Sequence, residues 1–192
     1  MPTPNPEALA FLETRRSRPA KTLVRPAPDR EALHSLLTAA ARCPDHGKLE
    51  PWRFIVLGPA ALERVGDLVP DCGARLGRTA EEITKARLQF AESPLAIAVI
   101  EVRKPSPKIP AIEQSYSAGA VCLGLLNAAL AAGWGANWLS GWPSHDATFC
   151  QQAFGLSGTE SVAGLIHIGT ETTAPPERPR PDIAAITQWM TE

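Results

Sequence analysis

"IEQSYSAGAVCLGLLNAALAAGW", residues 112–134, decides the architecture. Apolar residues fall on every side of a helix drawn through it, and a helix of that kind is buried all round. A membrane span is the rival reading. The many Ala, Gly and Ser residues, Asn127 in the middle and Glu113 near the start favour a core helix packed closely through small side chains. A chain of 192 residues has little with which to cover such a helix. The same helix from a second copy would supply the cover, so the expectation is a homodimer with an extensive apolar interface.

Outward from this helix, strands and helices alternate. Residues 6–17 predict a short helix, with Pro6 in its first turn and Pro19 barring continuation. Asp29 caps a helix in which Leu33, Leu36, Leu37 and Ala40 recur at helical spacing, and Pro44 ends it. Trp52–Leu57 is strand-like, and helical patterns follow at 60–69 and 74–92. LAIAVIEV, 95–102, is apolar enough for a strand buried on both faces. A proline-rich loop covers 103–111, and 135–141 reads as a further strand. Ser144 is the expected cap of a helix over 145–155, and 161–171 is another strand. The segment 172–192 predicts a proline-stiffened arm, ending in a short apolar helix, that reaches across a neighbour. The class is α/β or α+β with helices on a central sheet, in one domain over 1–192.

Composition narrows the function. With 19 basic and 20 acidic side chains the net charge is −1, which gives no electrostatic case for nucleic acid or an anionic membrane. Cys43, Cys72, Cys122 and Cys150 form no CxxC, so zinc is not expected and a reducing compartment suits them. No signal peptide is visible, and the expected location is the cytoplasm.

No GxGxxG, P-loop or GxSxG occurs. Arg15-Arg16-Ser17, at a helix C-terminus, either complements the helix dipole or grips a phosphate through guanidinium forks and a hydroxyl. Arg178 and Arg180 either belong to a solvated linker or close on the same anion. Asp45, His46, His145 and Asp146 could assemble a metal site, but lack a supporting helical pair. His34 and His167 read as structural, and Trp52 and Trp138 as core or as stacking platforms. The connector 44–51, PDHGKLEP, collects acid, imidazole and lysine in a few residues.

Taken in order, RRS (15–17), PDHGKLEPWRF (44–54), EQSYSAGA (113–120), WLSG (138–141) and GLIHIGT (164–170) resemble the nitroreductase family of flavin enzymes, in its compact bacterial form. The resemblance runs from about residue 7 to 188. It implies an α+β fold, a three-layer α/β/α sandwich with a mixed central sheet, in an intertwined homodimer whose two FMN sites are shared between subunits. It implies FMN contacts at Arg15, Arg16 and Ser17, and at Arg178 and Arg180 around the phosphate. Trp138, Leu139 and Ser140 would run along the ring, and Arg42 and His46 would come from the other subunit. No side chain is named as catalytic. The implied activity is NAD(P)H oxidation by ping-pong hydride transfer through flavin N5, with a nitroaromatic, quinone or similar acceptor. Other flavin chemistry on the same scaffold (dehydrogenation, reductive dehalogenation) and flavin binding with little turnover remain open.

This chain departs from the family pattern in three places. Leu139 replaces an Arg common in WxSG, and Glu50 a Gln before Pro-Trp. Pro19 stands where larger relatives carry a ring-facing Lys, leaving Arg18, Lys21, His46 or Lys48 to stabilise a reduced anionic ring.

Overall fold

The computed structural model describes residues 3–191. Seven helices lie among these residues: α1 Pro6–Thr14, α2 Arg30–Ala40, α3 Pro59–Asp67, α4 Val69–Arg75, α5 Ala80–Ala91, α6 Ala111–Ala131 and α7 Ala147–Phe154. Five strands form one sheet: β1 Leu23–Val24, β2 Trp52–Leu57, β3 Ala96–Val102, β4 Gly135–Leu139 and β5 Glu160–Glu171. No described helix is long and apolar enough to cross a membrane.

The sheet runs β1-β5-β3-β2, with β4 also on β5, and each of its four pairings is antiparallel where a mixed sheet was expected. The helical excursion α3–α5 leaves and re-enters the sheet at one end, so β2 and β3 pair in opposite directions along Trp52↔Glu101 to Leu57↔Ala96. Strand alternation then sorts the core into two layers. Ala96, Ala98 and Ile100 face α3, α4, α5 and α7; Ile97 and Val99 face α2 and α6. A bulge in β5 opposite Val99 and Ile100 puts Val162 and Leu165, three positions apart, on one face. The result is the three-layer α/β/α sandwich of the expected α+β class.

Helix α6 differs from its expectation in an informative way. Within one chain it buries a single stripe, Gln114, Ser117, Ala118, Val121, Cys122, Leu125, Leu126 and Ala129. Ile112, Tyr116 and Leu123 remain 53%, 68% and 44% exposed, so the opposite face is apolar yet uncovered. Small residues do bring a neighbour close: a β-carbon on Gly124 would stand 3.3 Å from the Ala40 backbone of α2.

Four other expectations need correction. The 6–17 helix stops at Thr14, because Arg15 turns extended at ψ 142°. The 74–92 helix is two helices, parted at Gly77 with φ +63° and restarted by a capping box between Thr79 and Glu82. Asp146, not Ser144, caps α7, since its carboxylate accepts from Phe149 N at 2.7 Å while Ser144 lies inside a 3-10 turn. The apolar helix expected in the arm is a turn at 183–186. Ile183, Ile186, Trp189 and Met190 are at least 65% exposed there, and a helix this short does not persist without packing.

Candidate functional site

The first site is a basic cleft at the C-terminal end of α6. As α1 ends, Arg15 N–H donates to Phe11 O at 2.8 Å and the chain runs extended toward β4. There Arg18 N–H donates to Ala136 O, and Asn137 Nδ2 donates to Arg18 O, each at 2.8 Å. This lacing fixes Arg15, Arg16 and Arg18 around a cleft of about 300 Å³, with Leu130, Trp134 and Glu171 on its other walls.

Cations outnumber acids in it, Arg15, Arg16 and Arg18 against Glu171. Arg15 Nη2 donates to Ser17 Oγ at 3.0 Å and Arg16 Nη2 to Pro176 O at 2.9 Å. The Nε atoms of both arginines are buried without a partner. Burial, then the nearby charges of Arg180 and Arg16, push the Arg15 guanidinium below its usual pKa. Two carboxylates pair at the edges of the group, Glu171 with Arg18 at 3.3 Å and Glu177 with Arg180 at 2.9 Å, and among the described residues Arg15 and Arg16 have no acidic partner. Crowded guanidiniums with unused N–H groups are the donor set that a phosphate dianion satisfies. Arg15, Arg16, Ser17 and Arg180 are thus gathered. Arg178 is exposed and joins only through its backbone N–H to Glu177.

A second, larger cavity of about 920 Å³ is lined from Pro19 onward, the residue after Arg18 of the cleft. Pro19, Lys21, Asn137, Leu139 and Ser140 form one wall, and α5 forms the other through Thr84, Lys85, Leu88 and Gln89. Sequence reasoning missed the α5 wall, because its polar residues look like any solvated helix face. Trp138 takes the opposite side of β4. Its indole lies over Gly164 against Cys122, which explains the absence of a side chain at 164.

Below the cavity His167 is fully buried; its Nδ1 lies 2.8 Å from Ser93 Oγ and its Nε2 has no partner. Burial pushes its pKa down to about 4, so the ring is neutral at ordinary pH. His34, by contrast, is exposed on α2.

Arg42 and His46 are not brought to this end. His46 Nδ1 pairs with Glu113 Oε2 at 2.5 Å, in the first turn of α6. Leu130, at the basic cleft, is roughly 25 Å along the same helix at 1.5 Å per residue. Buried Ser117 fastens the connector, donating to Pro44 O at 2.8 Å and accepting from Trp52 Nε1 at 3.2 Å. Within the connector, Asp45 accepts from Leu49 N–H at 3.2 Å and Glu50 N–H at 2.7 Å. Among the described residues no three His, Cys, Asp or Glu side chains converge on a metal position.

Comparison with known proteins decides the lineage. The sequence model described as the nitroreductase family matches residues 12–170. The chain belongs to the nitroreductase family. Among relatives of this nitroreductase-family chain, the Escherichia coli K12 protein named "Putative NAD(P)H nitroreductase YdjA" is 34% identical over 164 residues, covering 85% of this chain and 88% of that protein. A Haemophilus influenzae protein named "Putative NAD(P)H nitroreductase" is 37% identical over 166 residues, with the same coverage of 85% and 88%. In fold, the chain matches a nitroreductase-like family protein from Bacillus cereus with a TM-score of 0.82 at 24% identity over 100% of both chains. It also matches a protein from Desulfovibrio desulfuricans described as "a putative nitroreductase in complex with fmn", with a TM-score of 0.76 at 21% identity over 99% of each chain.

Proposed function

We propose that the chain is an FMN-dependent NAD(P)H oxidoreductase that reduces nitroaromatics, quinones or similar acceptors. The observation that carries this reading is the pair of buried, unpartnered Nε groups on Arg15 and Arg16 beside Arg180. A terminal phosphate would complete both Nε groups, with Arg180 and Ser17 Oγ adding further contacts. The ring would lie toward Leu139 and Ser140, in the larger cavity. FMN, when bound, supplies hydride acceptance and donation at N5.

The chain's own residues bind and orient. Arg15, Arg16 and Arg180 fix the register of the cofactor, and the α5 wall leaves room for nicotinamide and acceptor to enter in turn. Lys21, on the cavity wall, is the cation among those expected that would favour the reduced anionic ring, since Pro19 takes the place of the family's Lys.

The proposed assembly is a homodimer. The uncovered stripe Ile112, Tyr116 and Leu123 on α6 supports it, as does the distance separating His46 and Arg42 from the cleft they were expected to serve. A second copy would bring its own connector to this cleft. The proposed location is the cytoplasm, in keeping with four free cysteines.

Purified protein is expected to be yellow, and anaerobic NADH or NADPH to bleach it. Colourless protein that takes up no added FMN would overturn the reading. Bound flavin that nicotinamides leave oxidised would reduce it to flavin binding without turnover.

A further inference from the structure

The connector between α2 and β2 is bent through conformations that its residues disfavour. Lys48 and Glu50 hold φ of +54° and +48°, and Gly47 holds +69°. Left-handed backbone at a residue with a side chain persists only where its surroundings enforce it. The enforcing group here is Asp45, whose two carboxylate oxygens each take one amide, from Leu49 and Glu50. The bend is also pressed against the loop before α6: a β-carbon on Gly47 would stand 2.4 Å from Ile109 Cδ1.

Burial within the chain does not repay this strain. His46, Gly47, Lys48 and Glu50 are all exposed. Strain held on an exposed surface, with His46 tied to Glu113 at its start, is a shape kept for something the surface meets. We propose that Asp45 is a positioning residue: its carboxylate sets the connector's left-handed bend, and with it the place of His46 against the FMN bound by a second copy. The proposal rests on the cofactor reading given above. It adds a residue that touches neither cofactor nor substrate and acts through backbone geometry, since a site loosened by about 1 Å loses much of its affinity.

The test is FMN titration of apoprotein, followed by flavin fluorescence, with light scattering for oligomeric state and a melting curve for the fold. Asp45→Ala is expected to weaken FMN at least tenfold while a folded dimer persists. In a Lys48→Gly, Glu50→Gly background, where positive φ carries no steric penalty at either position, the same substitution should cost threefold or less. A purely structural carboxylate would move the melting temperature and leave that ratio unchanged. If Asp45→Ala does not fold, Asp45→Asn takes its place in both backgrounds; failure of both to fold assigns the carboxylate to the fold and overturns the proposal. FMN affinity within twofold of the parent, or an equal loss in both backgrounds, overturns it as well. A parent protein that takes no FMN overturns the cofactor reading and this proposal with it. A parent that binds FMN beside an unaffected Asp45→Ala overturns this proposal alone.

Discussion

The indole of Trp138 occupies the space that a side chain at position 164 would need. A β-carbon on Gly164 would stand 2.1 Å from Trp138 Nε1 and 3.0 Å from Cys122 Sγ. Cys122 is held by burial in α6, so the Trp138 ring, 37% exposed on β4, is the neighbour that has to turn aside. Gly164→Ala is expected to cost about 1–3 kcal/mol as an overpacking change. Urea unfolding checks the cost, and a shift in tryptophan emission checks that the displaced ring is the cause.

The basic cleft makes its own prediction. Arg16→Ala removes a charged donor from a desolvated cluster, a loss of about 1.5–3 kcal/mol per hydrogen bond. FMN affinity is therefore expected to fall by roughly one to two orders of magnitude. Burial first, then the charges of Arg180 and Arg16, hold Arg15 below its usual pKa, so removing Arg16 relieves a repulsion while losing its bond to Pro176 O, and apoprotein stability is expected to change far less than FMN affinity. A titration paired with a melting curve separates the two effects.

The α6 stripe sets the oligomer. Tyr116→Glu combined with Leu123→Glu places two charges on the uncovered face, with little effect on the chain's own core. The expected product is a folded monomer in light scattering that no longer retains flavin. A flavin-bearing dimer would assign the interface to another face.

His167 gives an acid dependence with a definite sign. Its folded pKa of about 4 lies below the ordinary 6.5, so the unfolded chain takes a proton that the native chain refuses. Stability should fall as pH drops from 6.5 and flatten below about 4, by roughly 3 kcal/mol in all. His167→Gln should remove that share of the slope in unfolding measured at pH 7 and pH 4.5.

Asp146 acts in a lower window. The Arg75 guanidinium first, then the Phe149 amide, hold its carboxyl down at about 2. The stability it contributes is present above the ordinary carboxylate pKa and is lost as pH falls toward 2. Asp146→Ala should cost about 1–2 kcal/mol as a lost helix cap, while Asp146→Asn, which keeps an acceptor for Phe149, should cost less at pH 7.

Much of this was legible in the residues, for identifiable reasons. Trp52–Leu57 was placed at both ends, because aromatic and β-branched residues stop at Gly58-Pro59. The α4–α5 break is masked in the sequence, although Thr79 and Glu82 carry a capping signature, because apolar periodicity runs on through Gly77. Two-residue β1 has no pattern of its own and exists through its pairing with Thr170 and Glu171. In the site, Arg15, Arg16 and Arg180 are named only by the order of the family motifs, since the residues alone fit a helix dipole and a solvated linker as well as an anion. Asp45 could be seen only as one titratable group among several, since its work on Leu49 and Glu50 depends on backbone angles that composition does not encode.

The arm that carries Arg180 also leaves Ile183, Ile186, Trp189 and Met190 without cover on their own chain. A newly made copy therefore displays a greasy tail until something masks it. Yield during synthesis should then depend on how quickly that tail finds its seat, and dilution or chaperone supply would matter more than the speed at which the sheet forms.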